Sequence, residues 1–188
     1  MRTLFLAFVL ITIASSSVVT HANPNNIGNI KASKALIDTI CSRTTNPSLC
    51  FKVLNADPRT PGASLKDLGQ ISLDLATPHA KTTHTFIQSL VQKATDPKLK
   101  VQLNSCLRNY NEAIKDLDEG RKALNSGNPR GLNSYASAAY AASESCDEGF
   151  LGKSLPEPQE IKQANQKLRD LSSITIVVSA FLLIPPSH

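Results

Sequence analysis

Four cysteines, at positions 41, 50, 106 and 146, constrain the fold of this 188-residue chain more than any other feature. In an oxidising compartment an even set of thiols becomes a framework of bridges, and four of them allow three connectivities. Spacing favours one. Cys41 and Cys50 flank Ser42-Arg43-Thr44-Thr45-Asn46-Pro47, a run of turn formers, so two short helices should meet there with a local bridge holding the hairpin shut. Cys106 and Cys146 are then left to pair over a long loop. On the chain-entropy account the two bridges constrain the unfolded chain by roughly 3 and 4 kcal/mol. Metal binding is the poorer use of these thiols, because no second Cys or His stands at C-x-x-C spacing from any of them.

The chain start supports such a compartment. Arg2 gives a short basic beginning, Leu4 to Ile13 an apolar run, and Thr20-His21-Ala22 the small residues that a signal peptidase reads. Residues 1–22 are therefore expected to be a secretory leader, with the mature chain beginning near Asn23. The other strongly apolar stretch, Ile174 to Ile184, falls short of the roughly 20 residues that a bilayer requires. A soluble, secreted single domain over 23–188 is the expectation, with no membrane partner. The net charge is +5, but its lysines and arginines are scattered and form no stripe for tracking phosphates, so nucleic acid is not expected as a partner. A mildly basic surface suits residence among acidic polysaccharides.

Apolar residues recur at helical intervals almost throughout, and period-two alternation never persists. The expected fold is all-α. Ile27, Ile30, Ala35, Leu36, Ile37 and Ile40 outline a first short helix, and Pro47 to Leu54 a second; together they give an N-terminal hairpin over 26–56. After the breaker-rich Asn55 to Gly62, Ser64 should cap a long helix carrying Leu65, Leu68, Ile71, Leu75, Phe86, Ile87 and Leu90, with Pro78 expected to kink it. Asp96-Pro97 opens the next, with Leu99, Leu103, Cys106, Tyr110, Ala113, Leu117 and Leu124 on one stripe, ended by Ser126-Gly127. Asn128-Pro129 opens a third, whose inward stripe of Leu132, Tyr135, Ala139, Ala142 and Cys146 brings its cysteine opposite the one on its neighbour. A fourth runs from Glu160 to about Leu183 through Ile161, Ala164, Leu168, Leu171, Ile174, Val178 and Phe181. Short connections make these an up-down-up-down four-helix bundle over 64–184.

Catalytic chemistry finds little support. His79 and His84 lie five apart on one helix, about 140 degrees from each other, and share no face for a metal. Phosphate loops, H-E-x-x-H and G-x-S-x-G are absent. The acidic group Glu112, Asp116, Asp118 and Glu119 reads as the solvated face of an amphipathic helix. More unusual is Ser134 to Ser145, almost entirely small side chains, in which Asn133, Ser137, Ala141 and Ser145 recur every four residues away from the inward stripe. A flat face of this kind lets a partner's backbone come close. No cofactor, metal or small-molecule ligand is expected.

Four segments then carry a resemblance: Asn46-Pro47-Ser48-Leu49-Cys50, Ala94 to Lys100 (ATDPKLK), Leu132 to Ala139 (LNSYASAA) and Cys146-Asp147-Glu148-Gly149-Phe150. Together with the order of the cysteines, they make the chain, from about Ser33 to Leu183, resemble the plant invertase and pectin methylesterase inhibitor family. The resemblance implies bridges between the first and second and between the third and fourth cysteines. It also implies an inhibitor, not an enzyme, that docks on its target through the exposed sides of the second and third bundle helices. The matching positions are Arg108, Glu112, Asn133, Ser137, Ala141 and Ser145. Pro129-Arg130-Gly131 stands where invertase inhibitors carry Pro-Lys-Phe, which favours the pectin methylesterase branch, with an inhibitor of acid invertase on the same scaffold as the alternative, and the resemblance implies an apoplastic, cell-wall location. The chain departs from the family pattern at Arg108, at Pro78, and at Ser172, where a further cysteine is common.

Overall fold

Short polar side chains set where the helices begin. In the computed structural model, which describes residues 31–151 and 155–184, the chain forms α1 (Lys34–Cys41), α2 (Pro47–Ala56), α3 (Leu65–Lys93), α4 (Pro97–Asn125), α5 (Pro129–Glu148) and α6 (Gln159–Leu183). Asn46, Asp96 and Asn128 cap α2, α4 and α5, and each is followed by a proline in the first turn, where a missing N–H costs nothing. Ser64 and Asp67 cap α3 reciprocally: Ser64 Oγ accepts from the Asp67 N–H at 3.1 Å, and the Asp67 carboxylate accepts from the Ser64 N–H at 2.8 Å. Gly127, at φ +69°, ends α4 in a left-handed turn in which the Asn128 N–H donates to Ala123 O at 2.8 Å. Pro78 sits inside α3 without ending it.

The first helix is shorter than its apolar spacing predicts. Ala32 donates its N–H to Ala63 O at 2.6 Å, pairing with the connector, and helix begins only after Ser33 Oγ caps the Leu36 N–H. The expected leader, the mature start at Asn23, and Ile27 and Ile30 lie outside the described residues.

Each bundle helix packs on its neighbour in the chain, and α6 closes the ring on α3, giving an all-α up-down-up-down bundle. Its core is aliphatic: Leu68, Leu73 and Ile87 from α3, Leu103 and Leu117 from α4, Leu132 from α5, and Ile161, Leu168 and Ile174 from α6 are all buried. Removing each such side chain from water stabilises the fold by about 1.5–3 kcal/mol. On α5 and α6 most of the expected inward positions are buried, and a few are exchanged for neighbours. On α5 the buried line is Leu132, Ala136, Ala139, Ser143 and Cys146, with Tyr135 and Ala142 half-buried. On α6 Asn165 is buried where Ala164 was expected.

The hairpin α1–α2 lies against the outer side of α6. This is why α6 is covered almost all round from Asp170 to Thr175. Its contacts there include polar ones. Thr45 N–H donates to Ser173 Oγ at 2.9 Å, Asn46 Nδ2 donates to Asp170 Oδ2 at 2.8 Å, and the Arg43 guanidinium stands 4.9 Å over the Phe181 ring. Among the described residues no helix is long and apolar enough to cross a membrane.

Candidate protein-docking face

The outer faces of α4 and α5 lie side by side because the bridge beneath them holds the two helices in register. Cys106 and Cys146, both buried, are joined with their Cα atoms 4.8 Å apart. The other bridge joins Cys41 to Cys50 across the turn of the hairpin, with Cα atoms 5.3 Å apart. Above the Cys106–Cys146 bridge, Arg108 and Glu112 are exposed one turn apart on α4, and Ser137, Ala141 and Ser145 are exposed on successive turns of α5. Val101, 64% exposed, lies two turns before Arg108 on the same side of α4.

Asn133 is placed differently. It is half-buried, and its amide nitrogen donates to Ser179 Oγ at 2.8 Å, so its donors are directed to α6. Successive steps of four residues rotate the stripe by about 40 degrees each, which carries position 133 to the α6 flank and leaves 137, 141 and 145 facing outward.

The electrostatics of this face are mixed. Asp116, one turn beyond Glu112, is half-buried; burial, and after it the Glu112 charge, push its carboxyl above the usual range. Among the described residues, Arg108, Glu112 and Asp116 are in no ion pair. They remain available to a partner. Small side chains also lower the entropic cost of covering the α5 part of the surface, since Ser and Ala have little rotamer freedom to lose.

Gly131 is fixed by its turn. A Cβ there would come 2.6 Å from Asn128 Nδ2 and 3.1 Å from the Ala123 Cβ, and Asn128 Oδ1 accepts the Gly131 N–H at 2.9 Å to cap α5. An aromatic at this position would displace the cap.

Nothing in this arrangement resembles catalytic machinery. The half-buried His79 imidazole is held below its usual pKa by burial and uses Nε2 to reach Ala164 O at 2.9 Å, tying α3 to α6. Among the described residues no three His, Cys, Asp or Glu side chains gather as a metal site. A cleft of about 460 Å³ lies between the hairpin and the connector, lined by Ile37, Phe51, Thr60 and Pro61, with the Lys34–Asp38 ion pair at its edge. Sequence reasoning missed a polar cluster of Tyr110, Asp147, Glu157, Asn165 and Arg169 where α4, α5 and α6 meet. Its one sequence signal was Asn165 amid the aliphatic stripe of the last helix.

Residues 35–178 match the family described as Plant invertase/pectin methylesterase inhibitor. The chain is 44% identical to a pectinesterase inhibitor of Actinidia deliciosa over 155 residues, 82% of this chain and 83% of that protein. It is 32% identical to pectinesterase inhibitor 2 of Arabidopsis thaliana over 152 residues, 81% of this chain and 87% of that one. A crystal structure of a mutant form of a pectin methylesterase inhibitor from Arabidopsis superposes with a TM-score of 0.71 at 29% identity, covering 80% of this chain and 98% of that one.

Proposed function

The chain belongs to the plant invertase/pectin methylesterase inhibitor family, and from that premise we propose that it is a secreted inhibitor of plant pectin methylesterase. In this reading residues 1–22 are removed on secretion, and the domain over 23–188 acts in the cell wall. It covers the enzyme's pectin-binding cleft in a one-to-one complex and so regulates pectin methylesterification. The observation that carries the reading is the exposed run of Ser137, Ala141 and Ser145, held flat beside Arg108 and Glu112 by the Cys106–Cys146 bridge. A rigid face of small residues loses little entropy on docking and lets an enzyme wall approach the helix backbone. Inhibition then needs no chemistry from the inhibitor; occupying the cleft is sufficient. Similarity to relatives named as pectinesterase inhibitors, and Gly131 where an invertase inhibitor would carry an aromatic, favour the pectin methylesterase target over acid invertase.

The test is a parallel titration of the purified protein against a plant pectin methylesterase and an acid invertase, with Ser137→Arg and Ala141→Arg beside the parent. Because both positions are exposed, unfolding free energy should change by less than about 0.5 kcal/mol. Bulk and a desolvated charge at the enzyme wall should weaken pectin methylesterase inhibition about 100-fold or more. Undiminished inhibition by both variants would remove this face from the interface. Inhibition of the invertase at equal concentration would instead reassign the target.

A further inference from the structure

Residues 155–158, which lead into α6, are tied to α5 through two carboxyl groups that share one amide. Asn165, fully buried on α6, accepts from the Tyr110 hydroxyl of α4 at 2.7 Å through Oδ1. That contact fixes which way the amide faces, because the tyrosine, its pKa raised by burial, stays a donor. Asn165 Nδ2 therefore points its two hydrogens at Asp147 Oδ1 on α5, at 2.5 Å, and at Glu157 Oε1, at 3.2 Å, two residues before α6 begins. Among the described residues, cations are in short supply here. Arg169 of α6 donates to Asp147 Oδ2 at 2.5 Å and spends its other nitrogen on Gln166 Oε1 at 3.0 Å. Glu157 is left in hydrogen-bonding contact with Asp147, with Lys162 of α6 as a more distant positive charge. On the α3 side the cluster meets the neutral Thr83 beside Tyr110.

We propose that Glu157 is a proton-dependent clasp that ties the segment leading into α6 to the C-terminal end of α5. Protonated, its carboxyl donates to Asp147 and the segment is held. When the proton leaves to solvent, two carboxylates face each other while Arg169 pairs with Asp147 alone, and the segment is released. Partial burial first, then the contact with Asp147, raise the Glu157 pKa from 4.5 to about 7. A carboxyl whose folded-state pKa lies above its unfolded value stabilises the closed form below the unfolded value, and loses that contribution as pH rises through the folded one. The clasp should therefore be closed in mildly acid solution and open above neutrality. It operates whichever enzyme the protein binds.

The first bonds of α6, from the Ile161 and Lys162 N–H groups to Pro158 O at 3.0 and 3.1 Å, report on the clasp directly. Amide exchange at these two positions, followed by NMR on the disulfide-intact protein and corrected for base catalysis, should speed up by about tenfold or more for the parent between mildly acid and mildly alkaline pH. The Glu157 carboxyl resonance should titrate over the same range. In Glu157→Gln, which keeps a neutral donor towards Asp147, the excess acceleration should vanish. Lys162→Gln, on an exposed position that does not endanger folding, should move the Glu157 midpoint upward. A Glu157 midpoint below about 5, or the same excess acceleration in Glu157→Gln, would overturn the proposal.

Discussion

In the bundle, helices of 20 to 29 residues bury continuous aliphatic stripes, and the Cys106–Cys146 bridge closes a segment of 40 residues across two of them. In the hairpin, α1 and α2 have 8 and 10 residues, lengths at which an isolated helix is marginal in water, and the bridge spans only 9. The hairpin depends on what covers it. Ile40 and Leu54 are fully buried, and the turn between the helices is fastened to Asp170 and Ser173 of α6. The same residue class serves the two regions differently: one cystine fixes the spacing of long helices that already pack well, and the other keeps two short helices from coming apart.

Removing the bundle bridge should have the largest effect. Cys106→Ala/Cys146→Ala should lose about 4 kcal/mol in urea unfolding, as one transition of the whole molecule, because the bridge joins two helices of a shared core. Cys41→Ala/Cys50→Ala should cost about 3 kcal/mol, but locally. Hydrogen exchange should show residues 34–56 losing protection while the core amides of α4 keep theirs. If both double variants lower the stability of the whole chain alike, hairpin and bundle are one cooperative unit and the contrast fails. Asp170→Asn is the finest probe. It keeps the shape of a side chain that accepts from Asn46, Thr45 and Gln166 but removes its charge, and should weaken hairpin docking by about 1 kcal/mol, read as faster exchange in α1 and α2 alone.

The candidate face divides along similar lines. Arg108 and Glu112 stand exposed on α4, and Ser137, Ala141 and Ser145 on α5, whereas Asn133 is drawn into the packing of α5 on α6. A substitution at Asn133 would therefore disturb the bundle as well as any interface, which is why Ser137 and Ala141 are the cleaner positions for separating binding from folding.

What the sequence determined by itself is what adjacent residues decide among themselves. Ser64 with Asp67, and the pairs Asn46-Pro47, Asp96-Pro97 and Asn128-Pro129, satisfy backbone groups within one turn, so four helix starts were legible without knowledge of the fold. So were the long aliphatic stripe of α4 and the all-α class, since a helical period survives any arrangement of neighbours. The azimuth of α5 was legible only in part: Leu132, Ala139 and Cys146 are buried as expected, and Tyr135 and Ala142 are half-buried. On a helix built of Ala and Ser, Tyr135 and Ala142 are no more obviously inward than Ala136 and Ser143, and the choice belongs to α4 and α6, which close on it from either side. Nor could local pattern bury Asn165, Asp170, Ser173 and Thr175 on α6. Those polar groups are buried because residues distant in the chain supply their hydrogen bonds: Tyr110 for Asn165, the hairpin turn for Asp170 and Ser173, and Ser72 for Thr175 at 2.8 Å. For these four side chains the partner that makes burial tolerable arrives from a distant part of the chain, and that is decided by the tertiary fold.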